Sequence, residues 1–312
     1  MITYLNRSTD PCYNLAFEEY LFRTAGEDVF LVWRNEPCVV AGSGQNLCRE
    51  VRPGRLWRLG IPMLRRISGG GTVYHDLGNI NYSVITAQTG PTDYERSLAP
   101  ILAALHRIGV PAERRGVCDL AIGGRKISGS AQRSAGGRLL HHGTLLFETD
   151  LETLEAVTSR GRNEHVRSKG TPSAVSAVTN IRPHLAQDMD AEAFRARLLS
   201  ELTSGETLTL NGEQEAEVRQ LAEEKYRNWA WTWGKTPGFT FEREGTFSGA
   251  PFHAWYQARK GILSGAAIEC PAIDGEKAAA QLNGARLDPE GIAAVCRELA
   301  GERGPELLDL LL

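Results

Sequence analysis

Arg65-Arg-Ile-Ser-Gly-Gly-Gly-Thr-Val-Tyr-His-Asp-Leu-Gly-Asn79 is the stretch on which the fold of this chain turns. Three consecutive glycines, Gly69 to Gly71, remove every Cβ, so the backbone can approach a ligand closely and enter the left-handed region. Successive amides in such a loop can form a concave anion site. Arg65 and Arg66 just before it can supply charge for a phosphate or a carboxylate. The same run is also compatible with a plain turn between two strands. It is not a P-loop, which needs G-x-x-x-x-G-K-[ST], and it lacks the G-x-G-x-x-G fingerprint. A lookalike at Gly234-Lys235-Thr236 fails, because Trp229 stands where the first P-loop glycine belongs and Pro237 blocks the helix that must follow.

Working outward, Ile80, Tyr82 and Val84 alternate with Asn81 and Ser83, which predicts a half-buried strand. Upstream, Asp10 as N-cap and Pro11 at the first position open a helix. It carries Tyr13, Ala16, Phe17, Tyr20 and Leu21 at helical spacing, and Gly26 can close it. Val29–Trp33 and Cys38–Ala41 read as strands around an Asn35-Glu36-Pro37 turn. Residues 92–108 form an amphipathic helix, with Leu98, Ile101, Leu102, Leu105 and Ile108 on one side and Gly109 after it. Asp119–Ile122 and Arg125–Ser128 read as a hairpin about Gly123-Gly124. His141–Phe147 reads as another strand, and helices are expected near 151–158, 190–203 and 212–225. A boundary falls near Trp229–Gly238. Beyond it come a β-rich stretch to about residue 270 and helices at 275–282, 288–299 and 304–312. The division expected is 1–232 and 233–312, the second a small α+β unit of ordinary domain size.

The 312 residues carry a net charge of −3, with 42% hydrophobic and 23% charged residues. That is ordinary for a globular protein, and no global field draws nucleic acid or an anionic membrane. No run is long and apolar enough to span a bilayer. The N-terminal residues lack the basic-then-apolar order of a secretory signal. Cys12, Cys38, Cys48, Cys118, Cys270 and Cys296 form no C-x-x-C pair, and no histidines accompany them at zinc spacing. Reduced thiols in a cytoplasmic protein are expected.

Two further stretches bear chemistry. In Gly124-Arg-Lys-Ile-Ser-Gly-Ser-Ala-Gln132, Lys126 stands among small residues; it can stabilise charge on a phosphoryl group or remain a solvated hairpin lysine. In His141-His142-Gly143-Thr144 no thiol precedes the histidines, so a buried, hydrogen-bonded histidine on a strand is favoured over a nucleophile's base. Arg160 to Asn180 is polar and aperiodic, with Arg160, Arg162, Arg167 and Lys169 against one acid, Glu164. A long irregular segment inside a compact domain is often functional.

Together, Arg65–Ser83, Gly124–Ala131 and His142–Leu146 resemble the three signature blocks of the biotin/lipoate ligase superfamily. Lys126-Ile-Ser-Gly-Ser-Ala131 followed by His141-His-Gly-Thr-Leu-Leu146 is similar to lipoate–protein ligase A rather than to biotin ligases. Asn14-Leu-Ala-Phe-Glu-Glu19, Leu31–Asn35, Gly42-Ser-Gly-Gln-Asn46 and residues 169–180 add to the likeness, and the tail from Trp229 resembles the accessory domain of full-length ligases. The resemblance implies an α/β fold of the α+β type: a mixed, largely antiparallel sheet flanked by helices, plus the small C-terminal accessory domain. It implies that ATP adenylates lipoate and that the lipoyl group then passes to an acceptor lysine. Lys126 matches the lysine that contacts both the lipoate carboxylate and the α-phosphate. Arg66, Gly71, Thr72, Val73 and Tyr74 match the ATP-binding stretch. Asp119 matches an aspartate near the nucleotide, acting through Mg²⁺. The acyl chain and ring are expected against Leu15, Trp33, Ser68, Gly70 and His75, with Glu19 closing that end and the 160–180 segment covering the intermediate.

The partners implied are lipoyl domains of 2-oxoacid dehydrogenase E2 subunits or a glycine-cleavage H protein, met by a monomer with no role for nucleic acid or membrane. Two positions depart from the family: Ser43 stands where a basic residue is common, and Cys118 replaces an asparagine before Asp119. Two rivals remain open at this level. One is an octanoyl or lipoyl transferase of the same superfamily acting through a cysteine, for which Cys118 is the thiol nearest a signature block. The other is a non-catalytic lipoate-binding regulator.

Overall fold

The computed structural model describes residues 1–158, 163–203 and 205–312. The chain runs β1 (Ile2–Tyr4), α1 (Pro11–Thr24), β2 (Val29–Trp33), β3 (Cys38–Ala41), α2 (Leu47–Glu50), α3 (Pro53–Arg58), β4 (Met63–Arg65), β5 (Val73–His75) and β6 (Asn79–Ala87). It continues through α4 (Tyr94–Ile108), β7 (Glu113–Arg115), β8 (Asp119–Ile122), β9 (Arg125–Ala135), β10 (Arg138–Leu146), α5 (Leu151–Val157), β11 (Val166–Ser168), α6 (Ala191–Leu202), β12 (Thr207–Leu208) and α7 (Gly212–Leu221). After a π-helical turn at Ala222–Tyr226 come α8 (Trp229–Thr232), β13 (Phe239–Phe247), β14 (Ala250–Arg259), β15 (Ile262–Glu269), α9 (Gly275–Leu282), α10 (Pro289–Ala300) and α11 (Gly304–Leu311).

The local signals act as expected. Asp10 accepts a hydrogen bond from the Cys12 amide to start α1, with Pro11 in the first turn. Gly109, at φ 93°, ends α4, and the left-handed Gly123 and Gly124 turn β8 into β9.

An eight-stranded sheet orders the strands β12-β1-β2-β6-β10-β9-β8-β7. β1 pairs in parallel with β12 and β2, and the other pairings are antiparallel. Helices cover both faces. Val29, Leu31 and Trp33 of β2 pack with α1 and Val218 of α7. Phe30 and Val32, pointing the other way, pack with α4 and α6. Burial on both faces explains why β2 is apolar throughout rather than alternating.

β6 departs from the half-buried expectation, because Asn81 and Ser83 are buried as well. Ser83 Oγ donates to Glu18 Oε1 at 2.6 Å and accepts from Trp33 Nε1 at 2.9 Å. Polar residues here line a hydrogen-bonded interior, so an alternating pattern marks two chemically different inner faces. Opposite Tyr82 in the register stands Gly143, where a Cβ would come within 2.4 Å of the tyrosine oxygen.

A three-stranded sheet, β4-β3-β5, carries the flanks of the glycine-rich stretch. A four-stranded antiparallel sheet, β11-β13-β14-β15, packs with α9 to α11 around Phe241, Tyr256 and Leu308. β11 belongs to the aperiodic 160–180 segment, yet it forms the edge of this last sheet. Among the described residues, no helix is long and apolar enough to cross a membrane. All six cysteines are unpaired.

Candidate active site

Two adjoining cavities, of about 200 and 110 Å³, meet where Thr72, Val73, Lys126, Gly129, Thr144 and Ser173 line both. Ten of the residues singled out by sequence line the larger one: Leu15, Trp33, Arg66, Gly70, Gly71, Thr72, Val73, His75, Asp119 and Lys126. Tyr74 lines the smaller. Ser68 is buried behind the wall. Glu19 reaches neither cavity. Its carboxylate accepts from Lys225 Nζ at 2.6 and 2.7 Å, from the Tyr226 hydroxyl, and from Arg23.

Lys126 is held from three sides. The hairpin partner Asp119 binds its Nζ at 2.8 Å. Its backbone N–H donates to the Ala177 carbonyl at 2.9 Å, and its own carbonyl accepts from the Thr179 amide at 3.0 Å. A register shift in the β8–β9 pairing falls beside it, a device that re-aims a side chain. Gly129 leaves the room the ammonium needs, since a Cβ there would lie 2.8 Å from Nζ.

The glycine loop is clamped onto β3. A Cβ on Gly42 would meet the Gly70 carbonyl at 2.2 Å, and Gly70 itself sits at φ 85°. Arg66 staples the loop from within. It donates to the Val40 carbonyl at 3.1 Å, Ser68 Oγ at 3.0 Å, Gly69 at 2.6 Å and Gly71 at 2.7 Å. Burial lowers its pKa to about 10, so it stays charged at neutral pH. Its neighbour Arg65 is fully buried and points away from the cavity. It donates to the carbonyls of Gly42, Ser43, Gln45 and Thr232. Gly42→Ala is expected to destabilise the protein by about 1–3 kcal/mol through this close approach. Gly44→Ala, whose Cβ meets only Thr171 Oγ1 at 3.9 Å, should stay within about 0.5 kcal/mol. Thermal melts of the two variants check the contrast.

The 163–180 segment covers the site. Ser173 Oγ accepts from the Thr72 amide and from Gln45 Nε2, both at 2.9 Å, and the Ser173 amide donates to Glu50 Oε2 at 3.1 Å. Arg167 and Lys169 are exposed. Arg160 and Arg162 lie outside the described residues.

Sequence reasoning missed two buried networks. His142, on the cavity wall, has Nδ1 2.8 Å from Glu18 Oε1 and Nε2 2.6 Å from Ser68 Oγ, which links Glu18 to Arg66. His141 beside it is buried and its pKa falls to about 3 through desolvation; both histidines are thus buried strand residues, as expected. The second network is Asn6–Asn14–Asn35–His75. Only the polar residues inside otherwise apolar elements hinted at either one. Cys118 also lines the larger cavity. Burial, and then the Asp119 carboxylate, raise its thiol pKa, so it is protonated at neutral pH and poorly suited to nucleophilic attack.

Among the described residues, no group of three or more His, Cys, Asp or Glu could cage a metal. A cation shared between one carboxylate and a substrate's phosphates needs no such group; Asp119, paired with Lys126, lines the larger cavity, and Glu50 lines the smaller.

Comparison with known proteins agrees with this arrangement. Residues 10–203 match the lipoyl protein ligase A/B catalytic domain. The chain is 35% identical to lipoate–protein ligase 1 of Staphylococcus aureus, over 84% of this chain and 82% of that one. Protein Ta0514 of T. acidophilum, solved with lipoic acid bound, superposes with a TM-score of 0.62 at 25% identity, covering 74% of this chain and 98% of that one. A lipoate–protein ligase A solved with ATP superposes with a TM-score of 0.61 at 25% identity, covering 74% and 96%. With its glycine loop, hairpin lysine and buried strand histidines assembled on this sheet, the chain belongs to the lipoyl protein ligase A/B family.

Proposed function

We propose that this ligase activates lipoate with ATP and transfers the lipoyl group to a lysine of an acceptor protein. The observation that carries the reading is Lys126 at the junction of two cavities, paired with Asp119. The larger cavity has an apolar end at Leu15, Trp33 and Val40, suited to an acyl chain with its carboxylate at Lys126. The smaller, lined by Tyr74, Leu154 and Val175, takes the nucleotide.

A carboxylate oxygen attacks the α-phosphorus, the bond to the β-phosphate breaks, and pyrophosphate leaves. Two anions must meet, so the protein's work is positioning and charge stabilisation. Lys126 bridges the carboxylate and the α-phosphate. Arg66 holds the glycine loop in shape and adds buried positive charge; four N–H donations to protein acceptors make it a scaffold first and a phosphate ligand second. Asp119 would hold the Mg²⁺ that accompanies ATP, which supplies neutralisation of phosphate charge. The lipoyl-AMP anhydride is shielded by the 163–180 cover. The neutral amine of the acceptor then attacks the acyl carbon, the bond to AMP breaks, and AMP departs.

The acceptors this reading favours are lipoyl domains of E2 subunits or a glycine-cleavage H protein, met in the cytoplasm by a monomer. Exposed Arg167 and Lys169 suit an acidic one. Residues 1–232 carry the chemistry in this reading and 233–312 form the accessory unit, whose apolar cluster is shared with Ala41, Leu47, Cys48 and Val166 of the first part. Pyrophosphate release with lipoate and ATP, followed by the mass shift of an apo acceptor domain, tests the whole. Modification of the acceptor from an acyl-carrier thioester without ATP would overturn it in favour of a transferase.

A further inference from the structure

His75 lines the larger cavity but not the smaller, so it stands away from the junction where Lys126 holds the carboxylate. It meets Trp33 edge-on at 6.1 Å. Its Nδ1 lies 3.0 Å from Asn35 Nδ2, and a chain of contacts that starts on the backbone settles which atom donates. Asn14 Nδ2 faces the carbonyls of Ser8 at 3.0 Å and Arg34 at 2.8 Å, which only accept. That fixes the Asn14 amide, whose nitrogen also lies 2.8 Å from Asn35 Oδ1. The Asn35 oxygen therefore accepts, its nitrogen turns to His75, and Nδ1 must be the bare acceptor. Burial keeps the ring neutral, with a pKa of about 3. The single ring proton is on Nε2. That atom is buried and, among the described residues, has no hydrogen-bond partner. Asn81, on the same cavity wall, also has one amide atom buried without a partner among the described residues.

Buried donors are normally satisfied, and leaving one unpaired is costly. One on a cavity wall marks a place where a ligand supplies the acceptor. We propose that His75 Nε2–H is the determinant that selects the acyl tail. It favours an acid whose far end bears lone pairs, as a sulfur-containing ring does, over an all-carbon tail of the same shape. The inference rests on the lipoate-activating reading and deepens it. A site built to donate hydrogen bonds rejects an analogue with nothing to accept them. Sulfur is a weak acceptor, so the discrimination is modest, about tenfold.

The probe pair is lipoate and 5-cyclopentylpentanoate, in which carbons replace both sulfurs of the five-membered ring. Pyrophosphate release gives kcat/KM for each acid with the wild-type protein and with His75→Phe. The wild type is expected to favour lipoate about tenfold, and the variant to lose most of that ratio whatever its absolute rates. Equal values in the wild type, or the same ratio in the variant, overturn the proposal. Should the melt show that His75→Phe does not fold, the wild-type ratio still decides, together with the ¹⁵N resonance of His75 Nε2. A directly bonded proton there supports the proposal and a bare nitrogen sinks it. Release with neither acid overturns the ligase reading itself, a result distinct from equal release with both.

Discussion

Lys126→Ala is expected to lower pyrophosphate release by about 100-fold or more, the scale on which one preorganised charge-stabilising group contributes. Its ammonium is the cation at the meeting point of the two cavities, and Asp119 holds it there at 2.8 Å. Arg66 cannot take over, because four of its N–H groups are committed to Val40, Ser68, Gly69 and Gly71. The loss should fall on kcat as well as KM, since the charge acts most strongly on the crowded phosphorus of the transition state. Lys126→Arg should not rescue it. Guanidinium is larger, and Gly129 leaves space for a single ammonium. Single-turnover measurement of acyl-AMP separates this effect from acceptor transfer, and near-normal acyl-AMP formation by Lys126→Ala would remove the residue from the mechanism.

Arg65→Met should be the most destabilising single change at the site, by about 3–5 kcal/mol. The guanidinium is completely buried, and among the described residues it meets no carboxylate, only oxygens of Gly42, Ser43, Gln45, Thr232 and Thr236. Methionine fills much of the space but leaves those carbonyls without donors. Denaturant unfolding measures the loss, and a variant within about 1 kcal/mol of the parent would show that water or rearrangement satisfies them. Paired with Lys126→Ala, which should melt like the parent, it separates a residue that builds the site from one that acts in it.

Much of this was legible because glycine and lysine leave strong local marks. The triglycine run and the glycine of Lys126-Ile-Ser-Gly-Ser-Ala131 announce close approach, and the structure supplies the atoms approached, the Gly42–Gly70 pair and Lys126 Nζ. Helix starts at Asp10 and the two-glycine hairpin were equally plain. Glu18 and Glu19 were not separable. They follow Leu15 by three and four positions, and both spacings place a side chain next to it on a helix. The choice is made by tertiary partners: Lys225, 206 residues further along the chain, claims Glu19, while His142 claims Glu18. The asparagine chain that orients His75 left no trace, because side-chain hydrogen bonds have no period. Nor could composition show that β11, inside an aperiodic segment, would complete a distant sheet.

That strand has a mechanical consequence. The cover over the cavities is stitched along both margins, to β13 through Val166, Arg167 and Ser168 and to Lys126 through Ala177 and Thr179. A strip sewn at both ends cannot swing on a hinge; it can only bow outward between its seams. Ser173 is the button at the middle of the span, and the bow undoes its bonds to Thr72, Gln45 and Glu50 together with those of Thr171 to Gly44 and Gln45.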